Sequence, residues 1–460
     1  MTPRKPFTPR PYQQLALEHL LDVPRCALWA GMGMGKTVST LTALDILLLT
    51  ESTPALVVAP KRVAKRVWPK EAQKWEHLRD IEVRPIVGTA AERKAALRDT
   101  NANVFTINYE NLPWLLDQKF WPFSTIVADE STKLKGFRLK QGGQRARALG
   151  RVAHTKAKRF IELTGTPAPN GLIDLWGQAW FLDAGQRLGR TFGGFTDRWF
   201  QSVPGTDGYQ QMRPLKHAQA EIEDRLRDLC LTLDPRDYFD IRDPVAHVVE
   251  VDLPHRAREL YQRFERELFM ELDGYDVEAF NAASKSMKCL QLANGAVYTE
   301  GEAWSVVHDA KIDALEDIIE EAAGMPVLVA YQFKSDLARL RRAFPRGRWL
   351  ADEAEFDQFL TGDYPVGFAH PASMGHGVDG LQDVTNIVAF FGHWWDLELR
   401  QQMIERIGPV RQIQSGHDRL VHVYDIVAVD TIDEQVVERH VTKAAVQDLL
   451  LAAMKRRVCS

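Results

Sequence analysis

Residues 30–37 read Ala30-Gly31-Met32-Gly33-Met34-Gly35-Lys36-Thr37, directly after the apolar run Cys26-Ala27-Leu28-Trp29. A strand, a glycine-rich turn and a helix in that order leave a chain few folds to choose from. The glycines let the backbone turn so that successive N–H groups point at phosphate oxygens. Lys36 reaches the β- and γ-phosphates, and Thr37 offers its hydroxyl to Mg²⁺. The residues after it, Val38 to Leu49, are apolar and suit a helix, which sets the phosphates on a helix N-terminus.

The surrounding pattern agrees. Ala55–Ala59, Val104–Asn108, Thr125–Ala128 and Phe160–Thr164 are short apolar runs with helix-like stretches between them. Such alternation predicts an α/β fold with a parallel sheet covered on both faces. Functional residues then collect at the carboxyl ends of the strands, where Lys36, Pro60, Asp129 and Thr164 stand. Residues from about 176 to 300 read as mostly helical and irregular. A second series of strands follows at Val327–Tyr331, Val366–Ala369, Asn386–Phe390, Val421–Asp425 and Ile426–Val429. The expected organisation is an ATP-binding lobe over 1–180, a helical region over 181–300 and a second lobe over 301–460.

Charge is divided unevenly along the chain. Up to Leu175 there are 27 Lys and Arg against 16 Asp and Glu, although the whole chain carries a net charge of −4. The basic part is where a polyanion would bind. Ten basic residues and no acidic one lie between Lys133 and Arg159. Lys133, Lys135, Arg138, Lys140, Arg145 and Arg147, with Lys61 and Arg62 of a second cluster, are the candidate nucleic-acid contacts. Such a run supplies affinity without sequence preference, through counterion release. No base-reading motif accompanies it. The four cysteines are scattered without metal-ligand spacing, as expected in a reducing cytoplasm. No apolar run reaches membrane-spanning length, and no membrane partner is expected.

The second catalytic element is Val127-Ala128-Asp129-Glu130-Ser131-Thr132, an apolar strand ending in two carboxylates. Asp129 suits Mg²⁺, and Glu130 suits an attacking water. Taken alone, an acidic pair at a strand end more often simply meets solvent; about 90 residues after a phosphate loop the balance reverses and it points to ATP hydrolysis.

These motifs resemble superfamily 2 helicases and translocases of the Snf, or chromatin-remodeller-like, branch, above all the compact bacteriophage and bacterial type. Arg10-Pro11-Tyr12-Gln13 resembles the adenine-reading motif, with Gln13 as the adenine contact. Ala59-Pro60-Lys61, followed by Trp68 and Trp75, resembles a segment that grips nucleic-acid backbone, and Asn108-Tyr109-Glu110 the next one. Leu163-Thr164-Gly165-Thr166-Pro167 resembles the motif coupling ATP to nucleic acid, with Thr164 on the nucleic-acid side. Its continuation to Asp174-Leu175-Trp176 is the most branch-specific signal. In the second half, Val327–Phe333, Ser373–Gln382 and Gln402–Arg406 resemble the fourth, fifth and sixth motifs. These place Gly377 and Asp379 near nucleotide, with Arg406, and more weakly Arg411, as arginine fingers. Thr431–Arg439 resembles the closing segment.

The chain departs from the usual pattern in places. Ser131-Thr132 stand where Ala-His is common, Asp379 where Asn is usual, and Pro409 where a second arginine is usual. The resemblance implies two RecA-like lobes that bind ATP and Mg²⁺ in an inter-lobe cleft. It also implies a monomeric, cytoplasmic enzyme of a bacterial or phage-infected cell that acts on double-stranded DNA. Two other readings remain open at this stage. One is a helicase-like DNA-binding scaffold that recruits a nuclease or replication protein; the other is an RNA-directed helicase.

Overall fold

The computed structural model describes residues 3–31, 33–118, 120–140, 143–204, 210–270, 279–299, 303–374 and 379–442. Two compact units meet in sequence at Phe239 and Asp240, inside the stretch read as 181–300. Each is an α/β layer structure around one parallel sheet.

The first unit contains β1 (Arg25–Ala30), β2 (Ala55–Ala59), β3 (Val83–Ile86), β4 (Val104–Asn108), β5 (Thr125–Asp129) and β6 (Arg159–Thr164). The antiparallel hairpin β7 (Phe200–Pro204) and β8 (Gln210–Pro214) follows, then β9 (Cys230–Leu233). The sheet order is β3-β4-β2-β5-β6-β1-β9, and all its pairings are parallel. β2, β4 and β5 are buried along their whole length because helices cover both faces. One face carries Phe105, Phe123, Phe160, Trp176 and Phe181; the other carries Tyr12, Leu41, Trp68 and Leu163.

The second unit contains β10 (Val245–Val251), the two-stranded ribbon β11 (Ala296–Tyr298) and β12 (Trp304–Val306), β13 (Val327–Ala330) and β14 (Arg348–Trp349). It is completed by β15 (Val366–Ala369), β16 (Ile387–Phe390) and β17 (His422–Ala428). Its sheet order is β10-β17-β16-β13-β15-β14, again parallel throughout. These are the two sheets expected of tandem RecA-like lobes.

The central strands match the apolar runs in the sequence. The runs at Val421–Asp425 and Ile426–Val429 form one continuous strand, β17. Four strands of the two large sheets escape that reading, β3, β9, β10 and β14, as do the two ribbons β7–β8 and β11–β12. β3 reads Val-Arg-Pro-Ile, and Pro85 is tolerated because the strand lies at the sheet edge. β9 and β10 both lie within the stretch that otherwise reads as mostly helical, one joining each sheet. Among the described residues no helix is long and apolar enough to cross a membrane.

Candidate functional site

β1 delivers the chain to the carboxyl edge of the first sheet, and the helix Lys36–Leu48 begins six residues later. Gly33 and Gly35 have φ of 77° and 74°, left-handed values that favour glycine. A Cβ on Gly35 would also collide with the Gln13 amide, so the adenine-type motif lies directly beside the loop. A Cβ on Gly31 would come within 2.8 Å of Pro235 Cγ, so the turn after β9 covers the loop's other side. Lys36 Nζ lies across the loop and donates to the carbonyls of Ala30 (2.5 Å) and Gly31 (3.1 Å). Gln13 is buried, and its Oε1 accepts from the Arg10 N–H at 2.9 Å. Tyr12 packs against Tyr238 and Phe239 with ring centroids 5.1 and 5.8 Å apart.

Asp129 ends β5 and is 8% exposed. Burial pushes its carboxyl well above the usual carboxylate range, and the neighbouring Glu130 adds to that. Three groups oppose the shift: a hydrogen bond from Trp68 Nε1 to Oδ2 at 2.8 Å, the Lys36 charge and the Glu130 backbone N–H. Glu130 adopts φ 57°, ψ 59°, a left-handed conformation that costs a non-glycine residue about 1–2 kcal/mol. Its surroundings hold it there. The Tyr109 hydroxyl donates to the carbonyls of Asp129 (3.0 Å) and Glu130 (3.4 Å), and Lys133 N donates to Glu130 O at 3.0 Å. Backbone strain of this kind persists only where neighbours over-determine it, and functional sites are where it concentrates.

Thr37, one residue into the helix, is partly exposed and offers a hard hydroxyl oxygen. The Asp129 carboxylate offers a second oxygen of the type that suits Mg²⁺, which is bound through one or two such groups and substrate phosphates. The glycine loop at a helix N-terminus suits the phosphates.

The basic candidates fall into distinct settings. Lys61, Lys133, Lys140 and Arg145 are exposed at or just beyond the carboxyl edge of the sheet, and Arg62 and Lys135 are half-buried there. Arg145 pairs with Glu110 at 3.0 Å, beside a cavity of about 570 Å³ that Lys133 and Gln144 also line. Arg147 donates to Lys140 O at 3.2 Å. Arg138 folds back: its guanidinium lies 3.3 Å from the Phe192 ring centroid and caps the Phe137 carbonyl. The end of the basic run, Lys156 to Arg159, is at the opposite edge, because the helix Gln144–Ala153 carries the chain back across the sheet. There Arg159 donates to Leu20 O and Leu21 O and closes the helix Pro11–Asp22. Thr164 is fully buried, and its Oγ1 accepts from Thr166 N at 3.0 Å. Its geometry shapes the turn rather than a surface.

In the second unit Arg406 ends the helix Leu397–Glu405 and is 4% exposed. Arg411 and Asp379, read separately from sequence, form an ion pair of 2.7 Å. Gly377 and His376 lie outside the described residues. Asp425 receives a bidentate pair from Arg400 at 2.6 and 2.7 Å.

Sequence reasoning overlooked three contributors. Trp68, which follows the segment resembling a nucleic-acid grip, is fully buried, its indole turned to Asp129. Tyr109 holds the carboxylate turn. Gln178 joins that turn to the Thr164–Pro167 segment. Nothing in a linear motif marks such partners, although a tryptophan at a fixed place after Ala59-Pro60-Lys61 was visible.

Comparison with known proteins places the chain. The family model described as SNF2-related domain matches residues 12–296, more than half of the chain. Protein p41 of Acyrthosiphon pisum secondary endosymbiont phage 1 is 55% identical over 461 residues, covering 98% of this chain and all of that protein. Helicase SWR1 of Mycosarcoma maydis is 33% identical over 191 residues, which are 38% of this chain but only 10% of that helicase. An uncharacterized ATP-dependent helicase of Mycoplasma genitalium is 23% identical, covering 88% of this chain and 38% of its own length. Among solved structures, the Sulfolobus solfataricus SWI2/SNF2 ATPase core in complex with dsDNA aligns over 98% of this chain and 95% of its own, with 22% identity and a TM-score of 0.44. The phosphate loop, the buried Asp129 and the family match together make this chain a member of the SNF2-related domain family, an ATP-hydrolysing, Snf-like superfamily 2 helicase/translocase.

Proposed function

We propose that the chain is a DNA-dependent ATPase that moves on, or remodels, double-stranded DNA through its backbone rather than its base sequence. One observation supports this above the others: Glu130 and Lys133 stand on one turn, joined by the Lys133 N to Glu130 O bond of 3.0 Å. The carboxylate residue and the start of the basic flank thus share one backbone turn. Phosphate contacts along Lys61, Lys133, Lys140 and Arg145 would be felt at the hydrolytic corner, and such contacts position without reading bases.

In this reading Gln13 and the aromatic group around Tyr12 hold the adenine end. Gly31, Gly33 and Gly35 present backbone N–H groups to the phosphates, and Lys36 leaves its two carbonyl partners to neutralise phosphate charge. Thr37 and Asp129 would hold Mg²⁺, which would supply Lewis-acid stabilisation of the phosphoryl oxygens. Glu130 orients and polarises the attacking water. Arg406 is assigned the transition-state charge, an effect of roughly 10³–10⁵ in rate where such arginines act. Arg411 and Asp379, paired to each other, are assigned to ordering that segment.

The test is phosphate release with and without a DNA duplex, beside matched RNA duplex. DNA should raise the rate, and Lys36→Ala or Glu130→Gln should abolish it. Equal turnover with and without DNA overturns the proposal; stimulation by RNA alone would point to an RNA-directed enzyme.

A further inference from the structure

The turn that follows Glu130 is gripped by the helix that continues the Thr164–Pro167 segment. Ser131 is fully buried, and its Oγ donates to Gln178 Oε1 at 2.9 Å. Gln178, 2% exposed, sits on the helix Leu175–Asp183. Its Nε2 donates to Pro167 O at 2.7 Å and to Asp174 O at 3.1 Å. One amide thus uses its acceptor and both donors, which fixes the orientation of the group. Asp174 in turn accepts from the backbone and side-chain nitrogens of Asn170 at 2.8 and 3.1 Å, closing the loop after Pro167.

A second feature of the same helix points the same way. A Cβ on Gly177 would lie 2.5 Å from Leu134 O and 2.7 Å from Lys135 O. Only glycine lets the helix backbone rest on the turn Ser131–Leu134, so the contact is backbone against backbone, without a flexible side chain between. The position where this chain carries Ser131-Thr132 is therefore matched by a polar partner across the contact.

We propose that Gln178 is a positioning residue. It ties the strained turn bearing Glu130, and with it Lys133 and Lys135, to the Thr164–Pro167 segment, so that nucleic acid bound at the basic flank sets the hydrolysis rate through this link. The proposal rests on the DNA-dependent reading above. It makes Gln178 a determinant of turnover and leaves nucleotide affinity to the phosphate loop.

The experiment compares Ser131→Ala, Gln178→Leu and the double variant in the full chain, measuring kcat and KM for ATP with and without duplex DNA, and the melting temperature. Each single variant should lower DNA-stimulated kcat about tenfold with KM within about twofold. The double variant should be no worse than either, since one link is lost once. Gln178→Leu leaves Pro167 O without its donor; if that variant does not fold, Ser131→Ala, which deletes one hydroxyl, decides alone. Wild-type kcat in Ser131→Ala, or a fall in kcat matched by an equal rise in KM, overturns the proposal. A wild-type rate that DNA leaves unmoved refutes the DNA reading instead. The link is then judged on basal kcat, which Ser131→Ala must still lower about tenfold.

Discussion

Lys311 carries a charge in the interior of the second unit, and its replacement by methionine should be among the most damaging single changes there. The ammonium is fully buried and uses all three of its protons: Asp433 Oδ2 at 2.6 Å, Asn294 Oδ1 at 2.9 Å and the Phe391 carbonyl at 3.2 Å. Asp433 is equally buried, and its remaining partner at Oδ2 is the Ala428 N–H at 3.2 Å. Methionine fills the volume of the lysine stem but leaves a carboxylate in a low-dielectric site with its counter-ion gone. Breaking a buried pair from one side costs about 3–5 kcal/mol, against a total stability of about 5–15 kcal/mol for a typical domain. Guanidinium denaturation of the full chain, followed by circular dichroism, should show that loss in one transition. Adding Asp433→Asn removes the stranded charge while keeping an oxygen for Ala428. The double variant should then be more stable than Lys311→Met alone, with a coupling of about 2 kcal/mol or more. A loss below about 1 kcal/mol in the single variant, or strict additivity in the pair, would refute the reasoning.

Two other outcomes are expected. Trp68→Phe removes the hydrogen bond that favours the charged Asp129, so protons compete better with Mg²⁺. The Mg²⁺ concentration for half-maximal ATPase should rise about tenfold at pH 6.5 and converge with wild type at pH 8.5; equal shifts at both pH values would count against it. His308 is held neutral, its Nε2 facing Leu292 O at 2.9 Å and its Nδ1 accepting from Ala310 N at 3.3 Å, and burial lowers its pKa from 6.5 to about 4. Because the unfolded chain takes up that proton first, this contribution is complete above pH 6.5 and is lost as pH falls towards 4. Between pH 7 and pH 5 it amounts to about 2 kcal/mol, and His308→Gln should flatten the pH dependence of the denaturation midpoint by that amount. An unchanged slope would exclude His308 as its source.

The phosphate loop was legible because its chemistry is local: two left-handed glycines, a lysine and a helix start lie within a few residues. The inner strands were legible because burial on both faces leaves unbroken apolar runs. β3, β9, β10 and β14 were not, since short strands with Arg, Pro or alternating polar residues are set by their neighbours in the sheet. The basic run shows the same limit. A count of charges cannot tell that Arg138 turns inward onto Phe192 or that Arg159 closes a helix at the far edge. The roles of Trp68 and Gln178 depend on partners 61 and 47 residues away.

Both sheets share a trait of construction: in each, the first strand made pairs with the last. β1 lies beside β9, with Ala27 opposite Cys230, and β10 beside β17, with Val245 opposite His422. During synthesis each sheet must therefore wait for its final strand before its opening strand is fully paired. β10 waits the longer in effect, because among the described residues β17 is its one neighbour in the sheet. A ribosome stalled before His422 would hold out a parallel edge rich in valine with no mate, a ready target for chaperones or for another nascent chain. The first sheet has all its described strands once Leu233 is made, so the order of translation gives the cell the phosphate-binding sheet while the second is still open.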